Sequence, residues 1–220
     1  MEEKNLDGLT YLISYPEGFS EDKKYPLVVF LHGRGARTPT TEKLRNSTCI
    51  ANLTKRQNER GYILLAPHCP RGDWNEWMML LIRLVKEARE LPFVDKTRVY
   101  VTGNSMGGYG TWALSLLRAD WFAAAMPICG GGIGGLSDQL GDLPIRTFHG
   151  LLDQTVDPIE SLQMVKAVNR AGGHAELILY PECAHNCWGE VYSDERNYDW
   201  LFSFTTARDK ELAKKLSREK

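Results

Sequence analysis

Apolar and polar positions along the chain follow two alternating patterns. Short runs dense in apolar and β-branched residues recur at 9–15, 26–31 (PLVVFL), 62–66 (YILLA), 98–102 (RVYVT), 123–128 (AAAMPI), 145–149 (IRTFH) and 175–180 (AELILY). Their length and composition predict strands. Between most of them the apolar positions move to helical spacing. Leu80, Leu81, Leu84, Val85 and Ala88 repeat at i, i+4 on one face, and Leu162, Val165 and Val168, followed by Asn169, mark another helix.

Strand, helix, strand, repeated, predicts parallel strands joined by crossover helices. Near-continuous apolar strands such as PLVVFL suit a sheet covered on both faces. The expected architecture is a single α/β domain over residues 1–206. Its first strand is expected to run antiparallel, because only the turn-rich EGFSEDKKY separates it from the second. The charge-rich segment TTARDKELAKKLSREK, with Leu212 and Leu216 four apart, predicts a solvated helical tail over 207–220.

Composition narrows the function classes. With 27 basic and 28 acidic residues, a formal net charge of -1 leaves no electrostatic footprint for nucleic acid or an anionic membrane. No apolar stretch approaches the roughly 20 residues needed to cross a bilayer, and MEEKNLDGLT lacks the apolar core of a secretory signal. A cytoplasmic location with reduced thiols at Cys49, Cys69, Cys129, Cys183 and Cys187 is the expectation, which makes the glycosylation sequons at Asn46 and Asn52 coincidental.

The chemistry concentrates in VYVTGNSMGGYGTWAL, residues 99–114, where a strand passes into a helix over 106–118 with Ser105 in the turn between. Gly103 and Gly107 stand two residues either side of it, where a side chain would collide with neighbouring backbone. Such a turn lifts the serine hydroxyl to the carboxyl edge of the sheet. The amide of Met106, at the helix N-terminus, is placed to stabilise negative charge. Serine alone is a poor nucleophile and needs a base oriented by an acid, expected in the chain order Ser, Asp or Glu, His.

Three histidines follow Ser105. His174 in AGGHAE enters a strand from its amino end, the wrong edge. His149 in FHG reads as packing beneath the turn. His185, in YPECAHNCW, follows the last strand at its carboxyl end and is the candidate base. For the acid, HGLLDQTVDPIES offers Asp153 and Asp157. Asp157, with Pro158 and Glu160 after it, has the character of a helix cap. Asp153 is therefore the candidate, with Asp157 as the fallback. A second oxyanion donor is expected from FLHGRGAR, whose Gly33 and Gly35 would let the backbone turn and aim the Arg34 amide inward. His32 reads as a buried hydrogen-bonding support.

In YPLVVFLHGRG, LLAPHCP, VYVTGNSMGGYGTWAL, DLPIRTFHGLLDQTVDP and YPECAHNCW, spread over residues 9–204, the chain resembles the α/β-hydrolase superfamily. Within it, the resemblance is to small esterases grouped with dienelactone hydrolases, phospholipase/carboxylesterases and polyhydroxybutyrate-depolymerase-like or feruloyl-type esterases. It implies an α/β-hydrolase fold, a three-layer sandwich with a mostly parallel central sheet and no large lid. It also implies a nucleophile at Ser105, acid at Asp153, base at His185, and oxyanion amides from Arg34 and Met106, with no cofactor. The arginine after HG and Asn104 before the serine depart from the usual choices.

The expected reaction is hydrolysis of a small carboxylic ester through an acyl-serine. Only the short CGGGIGGLSDQLGD is free to cover the cleft, which argues against a long-chain lipase. In RGDWNEWMM, Trp74 is divided evenly between substrate cleft and core, as is Trp188 beyond the base. Trp77, Met78 and Met79 read as the start of a core helix. Two rivals remain. One is a serine peptidase of oligopeptidase type using the same residues. The other is a zinc-binding, non-enzymatic protein built on Cys183, His185 and Cys187 with His68 and Cys69, although Cys-x-His-x-Cys lacks the paired spacing of structural zinc sites.

Overall fold

The computed structural model describes residues 1–206 of the 220; the helical tail expected at 207–220 lies outside them. Eight strands, β1 (Glu2–Leu6), β2 (Leu9–Ser14), β3 (Tyr25–Leu31), β4 (Ile63–Pro67), β5 (Val94–Asn104), β6 (Ala124–Ile128), β7 (Ile145–Gly150) and β8 (Ala175–Tyr180), form one sheet in the order β1-β2-β4-β3-β5-β6-β7-β8. β2 runs antiparallel to both β1 and β4, and every other pairing is parallel.

Alternation along the buried strands divides the core between two faces. From β3, Leu27, Val29 and Leu31 join one cluster, while Val28 and Phe30 join the other. The first is covered by α3 (Met78–Arg89) through Leu81, Leu84, Val85 and Ala88, by α4 (Met106–Arg118) through Trp112, and by α5 (Ile159–Arg170) through Met164 and Val168. The second face is covered by α2 (Thr48–Arg60) through Ile50 and Leu53, α6 (Trp188–Ser193) through Val191 and Tyr192, and α7 (Glu195–Phe202) through Tyr198 and Leu201. A short α1 (Glu42–Arg45) precedes α2. Each fully buried aliphatic side chain contributes roughly 1.5–3 kcal/mol, so the two apolar faces together make the three-layer arrangement.

Three local expectations change. EEKNL, too charged to read as a strand, forms β1 because the two-residue turn Asp7–Gly8 (φ 48° and 97°) closes a hairpin onto β2. Its exposed charged side chains suit an edge that must not recruit further strands. Met78 packs in the core as expected, but Met79 is 79% exposed, because helical rotation turns it away from the α3 face that carries Leu81, Leu84, Val85 and Ala88. Leu162 likewise faces outward at 39% exposure. Between β6 and β7, residues 134–140 form a short 3-10 segment, and no large lid stands among the described residues.

Candidate active site

β5, β6, β7 and β8 lie side by side and parallel, so the connections leaving their carboxyl ends emerge along one rim. Ser105 follows β5, Asp153 follows β7, and His185 follows β8. Residues far apart in sequence therefore come off adjacent strands.

Ser105 sits at φ 55°, ψ −120°, a conformation that side-chain-bearing residues rarely occupy. Its amide donates to the Ile128 carbonyl (2.9 Å), and its carbonyl accepts from Tyr109 (3.1 Å), so both sides of the turn are tied down. The flanking glycines are a matter of space. A Cβ on Gly107 would stand 1.8 Å from the Leu31 carbonyl oxygen, and one on Gly103 would stand 2.4 Å from the carbonyl oxygen of Gly107. The hydroxyl that this turn presents lies 2.8 Å from Nε2 of His185, whose Nδ1 lies 2.7 Å from Oδ2 of Asp153.

Asp153 has a fully buried carboxylate, 0% exposed, saturated by donors. Oδ1 accepts from the amides of Thr155 (2.8 Å) and Val156 (3.0 Å), while Oδ2 meets His185 and, at 3.1 Å, Nε2 of His149. Burial by itself would raise its pKa. The hydrogen bonds from His185 and from the Val156 and Thr155 amides, with the His185 charge, outweigh burial and hold the group below the ordinary carboxylate value. The ionised acid makes Nδ1 of His185 the donor, so Nε2 is free to accept the serine proton.

His149 is more than packing. It reaches Asp153 and the Val156 carbonyl (2.9 Å) through Nε2, and Ser161 Oγ (2.8 Å) through Nδ1, which anchors the acid from behind. The four-residue spacing of HGLLD was the available signal, since it returns both side chains to one loop. Asp157 accepts from the Ile159 amide (2.9 Å) at the start of α5, the capping role expected of it.

The loop after β3 forms the opposite wall. Gly33 has ordinary extended backbone (φ −76°), and Gly35 has open space where a Cβ would be, so neither is required by a sharp turn as the pattern had implied. Gly33 is needed for proximity, since its Cβ would lie 2.9 Å from Asn104 Nδ2 and 3.3 Å from Ser105 Cβ. Arg34, Met106, Ser105 and His185 share one cleft of about 1010 Å³ with Tyr109 and Trp188. The first amides of α4, Met106 included, have no intrahelical acceptor.

His32 supports this wall. Its Nδ1 donates to the Gly33 carbonyl (2.8 Å), and Nε2 accepts from the Cys69 amide (2.9 Å), which fixes the neutral tautomer. Burial pushes its pKa down to about 4 against hydrogen bonding to Gly33. Between its ordinary 6.5 and about 4, the unfolded chain binds a proton that the folded chain refuses, so stability is lost as pH falls through that window. His68, also lowered chiefly by burial, adds with the same sign. From His32 alone we expect stability to drop by about 1.5 kcal/mol between pH 6.5 and pH 5, above the range where most carboxylates titrate. Urea midpoints across that range check this, and a flat profile would contradict it.

The tryptophans separate. Trp74 is buried, donates to the His32 carbonyl (3.0 Å) and lies against Gly110, so it is chiefly core, with one edge on the cleft. Trp188 stands perpendicular to His185 at 5.3 Å between ring centres and lines the cleft. Trp77 packs at the edge of the core and donates to the Arg71 carbonyl. The ligands of the rival zinc reading do not assemble. Cys69 turns its thiol to the Arg71 carbonyl and His68 lies beside His32. Among the described residues, the close group of metal-ligating atoms is instead Cys129, Asp153 and His185.

A solved structure of a thermostable esterase superposes with a TM-score of 0.79 at 30% identity, covering 90% of this chain and 59% of that one. The chain has the α/β-hydrolase fold. No protein-family model matches it. Among curated proteins, "Probable feruloyl esterase C" of Aspergillus terreus is 26% identical over 161 residues, spanning 71% of this chain and 59% of that protein. "Dipeptidyl-peptidase 5" of Porphyromonas gingivalis is 25% identical, over 83% of this chain and 34% of that protein. The chain thus spans between one third and three fifths of the length of these relatives. No helix among its described residues is long and apolar enough to cross a membrane.

Proposed function

We propose that this α/β-hydrolase cleaves small carboxylic esters through an acyl-serine intermediate, with Ser105 as nucleophile, His185 as base and Asp153 as the orienting acid. The supporting observation is the continuous line from Ser105 Oγ to His185 Nε2 (2.8 Å) and from Nδ1 to a buried, ionised Asp153 (2.7 Å), opening on the cleft. His185 takes the serine proton as Oγ bonds to the ester carbonyl carbon. The carbonyl oxygen becomes an oxyanion, held by the amides of Met106 and Arg34. Collapse expels the alcohol, which takes its proton from His185. Water, deprotonated by the same imidazole, then attacks the acyl-serine and releases the acid. Asp153 stays ionised throughout, stabilising the imidazolium.

The esterase relatives support an ester, and the Trp188 and Tyr109 faces on the cleft support a small or aromatic acyl group. Peptide cleavage is the second reading, favoured by the dipeptidyl-peptidase likeness, although this chain spans only 34% of that protein. A panel of acetyl, butyryl, feruloyl and acetylated-sugar esters beside chromogenic dipeptide amides separates them. Labelling by a fluorophosphonate, mapped by peptide mass, is expected on Ser105. Amide turnover matching ester turnover would favour the peptidase, and a label elsewhere would remove Ser105 from the role.

A further inference from the structure

Two thiols beside the site take no part in the reaction above. Cys129 leaves the carboxyl end of β6, between the strands that carry Ser105 and Asp153, and Cys187 follows His185 by two residues, at the entry to α6. Their sulfurs face each other at 3.2 Å, and both residues are fully buried. Cys129 is fixed by its backbone, which turns at φ 48° and donates to the Phe148 carbonyl (2.8 Å). Cys49 and Cys69 point elsewhere, to Asn104 (3.8 Å) and to the Arg71 carbonyl (3.1 Å), and Cys183 stands partly exposed.

We propose that Cys129 and Cys187 are a site of oxidative modification, where a hydroperoxide joins them in a reversible disulfide that staples the His185 connection to β6. All five cysteines are thiols in the structure. A disulfide holds its sulfurs at about 2.05 Å, so closure from 3.2 Å asks for a little over 1 Å of movement, within reach of the connection that leads into α6.

The thiolate is the reactive form of cysteine, which sets the order of events. The bond shared with Cys129, and then burial, keep the Cys187 thiol protonated. Cys129 Sγ instead lies within 4.8 Å of an imidazole nitrogen of His185, and that ring, at 21% side-chain exposure, lines the cleft from which a peroxide little larger than water arrives. His185 takes the Cys129 proton as the sulfur attacks one peroxide oxygen. The O–O bond breaks, and the departing hydroxide recovers the proton from the imidazolium as water. Cys187 Sγ then attacks the sulfur of the sulfenic acid, the S–O bond breaks, and hydroxide leaves with the Cys187 proton as a second water. Both sulfurs are oxidised, and the peroxide is reduced to two waters. The bond spans 58 positions of sequence, so it removes much of the freedom of the unfolded chain. It stands whether or not Ser105 is a nucleophile.

Reduced protein treated with hydrogen peroxide, alkylated in denaturant and digested without reduction is expected to yield the Cys129 and Cys187 peptides cross-linked, with Cys49 and Cys69 alkylated. Dithiothreitol should separate the pair. Oxidation should raise Tm by about 5–15 °C, and Cys129→Ser and Cys187→Ser, each compared with its own untreated form, should lose that rise. Cys183→Ser should keep both the cross-link and the rise, which distinguishes this bond from one between the two cysteines flanking His185. His185→Gln should slow cross-linking roughly tenfold or more, and an unchanged rate would overturn the part given to the imidazole. Peptides that carry Cys129 and Cys187 both alkylated, a cross-link from Cys183 to Cys187, or an oxidised wild type melting no higher than the reduced form overturns the site.

Discussion

Ser105→Ala is expected to lower kcat for ester hydrolysis by about 10⁴-fold or more, with the fold intact. The substitution removes only Oγ, the atom 2.8 Å from His185 Nε2, and leaves the proposed oxyanion amides of Arg34 and Met106 and the cleft walls as they were. Residual turnover would come from those amides acting on bound ester with water as nucleophile, which is why the loss is large but finite. Alanine keeps the Cβ, so the strained φ of 55° and the bonds from Ser105 N to Ile128 and from Tyr109 N to Ser105 O persist. The melting temperature should therefore change little. Steady-state rates beside a thermal melt separate the two effects. Retained turnover in a folded variant would end the acyl-serine proposal.

Gly107→Ala is expected to be the most damaging single methyl in the elbow. The added Cβ would stand 1.8 Å from the Leu31 oxygen and 2.4 Å from its carbonyl carbon, both backbone atoms of the central strand β3. No side-chain rotation relieves a collision with backbone, so α4 must retreat from the sheet or β3 must bend. Cost on this scale is about 3 kcal/mol or more. For a chain of this size that is roughly a 6–12 °C fall in Tm. Leu31 leads directly into His32, Gly33 and Arg34, so displacement should also move the amide proposed to hold the oxyanion and lower kcat in whatever fraction stays folded. Gly35→Ala is the control: nothing stands within 4 Å of its Cβ position, and it should melt within about 2 °C of wild type. Equal melting of the two variants would refute the close packing of α4 against β3.

Much of the site was legible because local chain geometry demands particular residues locally. Glycines two positions either side of Ser105 reflect collisions with Leu31 and with residue 107 itself, and the strand before and helix after were visible in their apolar spacing. Asp153 and His185 were legible as candidates because each follows a strand at its carboxyl end. Gly35 misled, since its neighbourhood is open and a glycine in a pattern carries no record of why it is there. EEKNL misled in the opposite sense: edge strands need no apolar face, so periodicity is silent about them, and only the Asp7–Gly8 turn spoke for β1.

The sequence by itself determined the α/β layering, the serine elbow and the order of the chemical groups along the chain, because strand composition, helical spacing and steric limits on a turn act over a few residues. Tertiary structure alone decided that His149 would brace Asp153, that Trp74 would spend its indole on the His32 carbonyl, and that Cys129 would meet Cys187 across 58 positions of sequence. Those contacts follow from which strands become neighbours and how closely their carboxyl ends converge. That convergence is fixed by packing over the whole sheet, and no short stretch of residues encodes it.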